Sequence, residues 1–174
     1  MCGDIGCYTL GNAAPLNAVD TCLDMGAGIT MAQGFNVIEP NKKAIAFVGD
    51  STFFASGMTG VANAVYNKHD ITIVVLDNAT TAMTGSQPHP GTGATLMGGF
   101  SAPISIQEVL SALGVKKITK ANPLFADKAI EAAREAIDYD GPSAVIYESP
   151  CTKLTKAKPP VYFIANACAG CRKC

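Results

Sequence analysis

The chain has 174 residues, 48 % of them hydrophobic and 16 % charged, with a net charge of −1. That is enough for one domain with a sizeable core, and the absence of a basic stripe or basic amphipathic helix excludes nucleic acid and membrane surfaces as partners. No apolar run reaches the roughly 18 residues of a bilayer span, and the start of the chain lacks the pattern of a secretory signal, so a cytoplasmic location is expected.

The first stretch, up to about residue 34, is apolar and rich in glycine, so any helix within Asn17–Gly34 must pack closely against a neighbour. Four short apolar runs then read as strands buried on both faces: Ala44–Val48, Ile71–Asp77, Val115–Thr119 and Ser143–Glu148. Helical spacing appears between them. Met58–Lys68 places Val61, Ala62, Val65 and Tyr66 on one face, and Leu124–Ile137 does so with Leu124, Phe125, Ala129, Ile130, Ala133 and Ile137. Ile106–Leu113 is a shorter helix. Strands alternating with helices imply right-handed crossovers and an α/β fold: a doubly wound, mostly parallel sheet with helices on both faces. Thr80–Pro103 has no periodicity, and a loop that long inside a domain is usually functional.

Of seven cysteines, Cys2, Cys7, Cys22 and Cys151 are scattered and read as small buried packing residues. Cys168, Cys171 and Cys174 form a C-x₂-C-x₂-C run, matching the first three ligands of the bacterial 4Fe–4S pattern. An odd count without a secretory signal speaks against a disulfide framework.

The chemistry gathers after the first long strand. Ala44–Val48 runs into Gly49-Asp50-Ser51 and a helix, and the next strand runs into Asp77-Asn78-Ala79-Thr80. In open parallel sheets, ligands bind beyond the carboxyl ends of strands. A helix start offers N–H groups to an anion, and Asp50 with Asn78 offers hard oxygens suited to Mg²⁺. A Walker loop is set aside because no Gly-Lys-Ser/Thr follows, and Gly49 and Gly57 are too far apart for a dinucleotide fingerprint. By itself Gly-Asp-Ser also fits a plain N-cap and strand-end turn. His69 reads as a helix-end residue near terminal carbonyls; His89, between two prolines in the long loop, reads either as a catalytic contact or as a turn residue.

Gly49-Asp50-Ser51 with Asp77-Asn78 resembles the Gly-Asp-Gly … Asn signature of thiamine-diphosphate enzymes, with serine in third place. Thr84-Gly85-Ser86-Gln87 is similar to the Thr-Gly-x-Gln loop of 2-oxoacid:ferredoxin oxidoreductases. Gly3-Asp4-Ile5-Gly6-Cys7-Tyr8-Thr9-Leu10-Gly11, Met25–Gly28, Gln87–Gly91 and Pro150-Cys151 resemble, in order, the indolepyruvate-type α subunit, in which serine also occupies that place. The resemblance implies Mg²⁺ on Asp50, Asn78 and the Thr80 carbonyl, and diphosphate on Gly49, Ser51 and Thr52. It implies a pocket lined by Gly3, Asp4, Ile5, Gly6, Cys7, Gly26, Ala27 and Gly28, closed by Thr84, Gly85 and Gln87, with His89 as the catalytic candidate.

The resemblance further implies oxidative decarboxylation of a 2-oxoacid, an arylpyruvate such as indolepyruvate, to an acyl-CoA, with ferredoxin accepting the electrons. Residues 1–152 are then the thiamine-diphosphate/Mg²⁺ domain, 153–165 a linker, and 166–174 the start of a truncated ferredoxin-like 4Fe–4S segment. The pyrimidine-binding domain of such enzymes has no room in 174 residues, so the chain reads as a fragment that needs a partner domain or subunit in a hetero- or homo-oligomer. Two other readings remain: a non-catalytic cofactor-binding piece, and a non-oxidative 2-oxoacid decarboxylase, which would not need the cysteine run.

Overall fold

Apolar, β-branched runs with no alternation build the centre of the sheet. β3 (Ala44–Gly49), β4 (Ile71–Asp77) and β6 (Ser143–Glu148) lie side by side and are largely buried on both faces, as parallel strands under crossover helices must be. The computed structural model describes residues 1–154 and 168–171. Among these, six parallel strands form one sheet in the order β2-β1-β3-β4-β6-β5, with β1 (Cys2–Gly3), β2 (Thr21–Cys22) and β5 (Lys117–Ala121) completing it. The parallel α/β fold expected from the strand and helix alternation is the one observed.

Register sets the site. Gly49 pairs with Leu76 and Asp77 with Glu148, so β3, β4 and β6 end at one level. The chain leaves β1 toward β2 on one side and returns to β3 on the other, so the β1/β3 boundary is a topological switch point with a crevice at its carboxyl edge.

Among the described residues, five α-helices cover the sheet: α1 (Ala27–Ile38), α2 (Asp50–Thr52), α3 (Met58–Tyr66), α4 (Ile106–Ala112) and α5 (Ala126–Ile137). α2 runs through a π-helical turn, Phe53–Gly57, into α3, so the helix expected from Met58 begins at Asp50. Wide turns of this kind are frequent at functional sites. Ile29, Ala32, Val48, Phe53, Val61, Ile73, Val75 and Leu110 are among the core residues. Ser105 caps α4 by accepting the Glu108 N–H at 3.2 Å.

Other elements also depart from the sequence expectation. The β5 strand starts two residues later than Val115, because Gly114 (φ +99°) ends α4 and the Val115 N–H donates back to the Leu110 carbonyl. Val115 is thus a buried helix-terminating residue. The buried face of α5 is made of Ala132 and Ala136 with Ala129 and Ala133 half-buried, whereas Leu124, Phe125 and Ile130 are exposed. Small residues let this helix lie close on the sheet, and the larger apolar side chains are left outward.

Apolar exposure is highest on the turn that follows Gly93, where Leu96, Met97 and Phe100 are 89 %, 93 % and 90 % exposed. Patches of that kind mark contact surfaces. No helix among the described residues is long and apolar enough to cross a membrane. Of the expected linker only Lys153 and Leu154, in the 3₁₀ turn Thr152–Leu154, fall within the described residues. Residues 155–167 and 172–174, with Cys174 among them, lie outside.

Candidate functional site

Gly49 closes β3 and Asp50 opens the helix, so the Asp50 side chain is set at the strand-end crevice by both elements. It is 2 % exposed. One carboxylate oxygen accepts the Ser51 N–H at 2.8 Å and the other accepts the Asn78 N–H at 3.0 Å. Burial works to raise the Asp50 pKa, but the His89 imidazole and these two backbone donors outweigh it and hold the carboxyl below its ordinary range. Asp50 is therefore a buried carboxylate whose charged form is favoured by the His89 imidazole and two backbone N–H groups, a setting suited to a cation.

β4 delivers the second set of oxygens. Asn78 follows the strand end, Ala79 takes a left-handed conformation (φ +61°), and the Asn78 side-chain oxygen accepts the Thr80 N–H at 3.1 Å. Thr80 is 3 % exposed. Burial pushes the neighbouring Asp77 carboxyl above its ordinary range; the Ala79 N–H works against this, and the Asp50 and Glu148 charges add to it. Thr81 then donates its hydroxyl to Ser51 Oγ at 2.8 Å, tying the two strand-end turns together.

His89 lies against Asp50. Its Nε2 is 3.1 Å from Asp50 Oδ2, off the line of a hydrogen bond, and has no other partner. Its Nδ1 accepts the Gly91 N–H at 3.2 Å, and the ring stacks on Phe54 with centroids 5.8 Å apart and planes at 27°.

A cleft of about 60 Å³ at this edge is lined by Gly6, Cys7, Gly49, Asp50, Ser51, Thr52, Asn78 and Thr80, all singled out from the sequence. Tyr8, Met25, Leu76, Thr81, Ala82 and Met83 complete it. The hydroxyl oxygen of Tyr8 accepts the Gly49 N–H at 3.1 Å, which fixes the turn after β1 against the turn after β3. Tyr8 was not singled out: a lone aromatic in a glycine-rich stretch carries no periodic signal.

The other candidates lie outside the cleft lining. Gly3, Asp4 and Gly28 are buried behind it, where Gly28 packs on the Gly3 and Phe47 backbones. Ile5 is 42 % exposed. Gly26 (φ +90°) precedes Ala27 at the start of α1, and a side chain there would also strike Ser56. Thr84, Gly85 and Gln87 form an exposed turn of their own, with the Thr84 hydroxyl on Gln87 Oε1 at 2.6 Å. Cys168 and Cys171 are exposed and free.

The donor set fits a diphosphate with a hard cation. Asp50, the Asn78 amide oxygen and the Thr80 carbonyl are oxygen ligands of the type Mg²⁺ selects, with phosphate oxygens and water to complete its shell. First-turn N–H groups of the helix from Asp50 have no carbonyl of their own helix to bond. Among the described residues no cluster of three His, Cys, Asp or Glu gathers.

Fold and site together define a class: parallel α/β domains with a cleft at the carboxyl edge of a topological switch point. Within that class the chain belongs to the family of thiamine pyrophosphate enzyme C-terminal TPP-binding domains, whose model matches residues 4–147. It is 39 % identical over 177 residues to the indolepyruvate oxidoreductase subunit IorA of Archaeoglobus fulgidus, covering 98 % of this chain and 28 % of that subunit. The IorA subunit of Thermococcus kodakarensis is 36 % identical over 192 residues, covering 98 % of this chain and 30 % of that subunit. The chain thus spans less than a third of the curated relatives it matches. Among solved structures, the fold resembles a 2-oxoglutarate:ferredoxin oxidoreductase from Magnetococcus marinus (TM-score 0.74, 20 % identity, 86 % of this chain and 53 % of that one).

Proposed function

We propose that this chain supplies the diphosphate- and Mg²⁺-binding half of a thiamine-diphosphate-dependent 2-oxoacid oxidoreductase. The observation that carries this reading is Asp50: a buried carboxylate held ionised between the Ser51 and Asn78 N–H groups, beside further hard oxygens at the strand ends. Asp50, Asn78 and the Thr80 carbonyl would hold Mg²⁺, and Ser51 and Thr52 would bond the diphosphate. When bound, thiamine diphosphate supplies the carbanion that attacks the keto carbon of a 2-oxoacid.

The chain's own part is binding and orientation. The Tyr8–Gly49 and Thr81–Ser51 bonds hold three turns at fixed spacing around the cleft, so the anion meets donors that need not reorganise. A cleft of about 60 Å³ has room for a phosphate or hydrated cation and not for a whole cofactor. The remainder of the cofactor would extend under a second, pyrimidine-binding domain or subunit, for which the exposed Leu96, Met97 and Phe100 offer apolar contact.

Similarity to IorA subunits supports indolepyruvate or another arylpyruvate as substrate. Coenzyme A as acyl acceptor and ferredoxin as electron acceptor follow from the motif resemblance to 2-oxoacid:ferredoxin oxidoreductases. The Cys168, Cys171, Cys174 spacing supports an electron exit through a 4Fe–4S cluster in the complete enzyme.

Calorimetric titration of thiamine diphosphate, with Mg²⁺ and with chelator, tests the site. Mg²⁺-dependent binding that disappears in Asp50→Ala is expected. Equal binding by the variant would remove the metal role of Asp50.

A further inference from the structure

His89 was a candidate catalytic residue, yet neither ring nitrogen is open to a substrate. The side chain is 4 % exposed. Nδ1 is used as an acceptor by the Gly91 N–H, so the neutral ring carries its proton on Nε2, the tautomer being set by the bond the other nitrogen makes. That Nε2–H has no accessible surface, and Asp50 Oδ2 lies 3.1 Å away.

The ring is held there from three directions. Phe54 stacks on one face. Gly91 passes the ring edge so closely that a Cβ would fall 3.1 Å from His89 Cε1 and 2.9 Å from Phe54 Cε2. The His89 backbone is fixed by the Thr92 N–H and hydroxyl, both donating to its carbonyl at 2.9 and 2.8 Å. Such investment in one imidazole orientation places a donor beside Asp50 Oδ2, the oxygen that also accepts the Asn78 N–H, on a carboxylate that the Asp77 side chain neighbours.

We propose that His89 is a positioning residue: its Nε2, 3.1 Å from Asp50 Oδ2 though off the line of a hydrogen bond in this structure, swings its N–H onto that oxygen to orient the Asp50 carboxylate for the cation. It does not act as an acid or base on the substrate. This rests on the diphosphate/Mg²⁺ reading of the site. The pairing resembles the outer contacts of metal-ligating carboxylates in general, which set ligand orientation and affinity without touching substrate.

The test measures the Mg²⁺ concentration for half-maximal thiamine diphosphate uptake by the whole chain. His89→Phe keeps the stack on Phe54 and removes the N–H; the half-saturating Mg²⁺ rises about 10- to 100-fold, with the melting temperature unchanged. His89→Gln, whose amide N–H reaches the place of Nε2, returns it toward the wild-type value. Equal Mg²⁺ dependence in wild type and His89→Phe overturns the proposal. Equal loss in both variants with a lowered melting temperature also overturns it, since packing alone explains that pattern.

A cofactor-free measurement separates this proposal from the reading beneath it. Imidazole nitrogen NMR of the chain without ligands shows an Nε2–H tautomer whose signal shifts in Asp50→Asn. An Nδ1–H tautomer, or a signal indifferent to Asp50→Asn, overturns the pairing outright. Wild type that takes up no thiamine diphosphate with Mg²⁺ sinks the diphosphate reading, and the NMR result then decides the Asp50–His89 pair by itself.

Discussion

The Asp4 carboxylate, fully buried, accepts the Gly26 N–H at 2.7 Å with one oxygen and has no partner for the other. Burial pushes its pKa from 3.8 up to about 6; the Gly26 N–H only partly offsets this, and Asp24 adds to it. The raised value means that the fold binds the Asp4 proton more tightly than the unfolded chain does. Stability from this group is fully present below about pH 4 and is lost as pH rises through about 6, a loss on the order of 3 kcal/mol. Asp4→Asn keeps an acceptor for Gly26 and cannot ionise. Its melting temperature relative to wild type is expected to climb between about pH 4 and 6 and stay level above that. Thermal unfolding across that range checks it, and parallel curves would show that the carboxyl is not desolvated in solution.

Two glycines of α1 respond oppositely to the same substitution. A Cβ on Gly28 would sit 3.1 Å from the Gly3 carbonyl carbon and 3.2 Å from Phe47 O, both backbone atoms that cannot swing aside. Gly28→Ala is expected to cost about 1–3 kcal/mol by forcing helix and sheet apart. A Cβ on Gly34 meets nothing within 4 Å, so Gly34→Ala is expected to gain about 0.5–1 kcal/mol through lower unfolded-state entropy. Urea unfolding of the two variants checks the sign as well as the size.

How much of this was readable in advance follows from what each segment buries. β4 and β6 were read at their observed ends and β3 to within its last residue, because strands buried on both faces are uniform apolar runs that stop sharply at Gly, Asp or Glu. β1 and β2 have two residues each, too short for any period, yet they supply half of the switch point. In α5 the large apolar residues drew the eye and the alanines carry the packing, since helix–sheet distance rewards small size there. Asp50, Ser51, Asn78 and Thr80 were legible as a group because adjacent parallel strands end at one level. The Tyr8–Gly49 and His89–Asp50 contacts were not, because each joins an irregular loop to a distant turn by a single atom pair.

Lys43 locks the edge opposite the cleft. Its ammonium donates to Asp70 Oδ1 and to the carbonyls of Tyr139 and Gly141, joining the starts of β3, β4 and β6. Its side chain is 11 % exposed and that of Asp70 33 %, so solvent screens the pair only in part. Lys43→Met is expected to lose about 2 kcal/mol, in the range for hydrogen bonds to a charged group. Thiamine diphosphate uptake at saturating Mg²⁺ should not change below the melting transition. A drop in uptake without a drop in stability would mean that the two ends of the sheet are coupled.

Ser51 stands where the Gly-Asp-Gly signature has its second glycine, and Thr81 Oγ1 donates to its hydroxyl at 2.8 Å. Thr81 also opens the Thr84–Gln87 turn: its N–H donates to the Gln87 carbonyl at 3.0 Å, and the Ser86 N–H donates back to the Thr81 carbonyl at 3.1 Å. One serine hydroxyl therefore anchors the whole exposed turn to the helix start. Ser51→Gly removes a neutral hydrogen bond worth about 1 kcal/mol and adds about 0.5–1 kcal/mol of backbone entropy in the first helical turn. Amide exchange at Thr81 and Gln87 is expected to speed up. Thr81→Val cuts the same bond and leaves the Ser51 hydroxyl in place, so the pair of variants separates two roles. If Ser51 only anchors the turn, both lose thiamine diphosphate affinity equally, because both release the same loop. With Ser51 bonding the diphosphate directly, as expected here, Ser51→Gly loses about tenfold more than Thr81→Val, the worth of one hydrogen bond to a charged group.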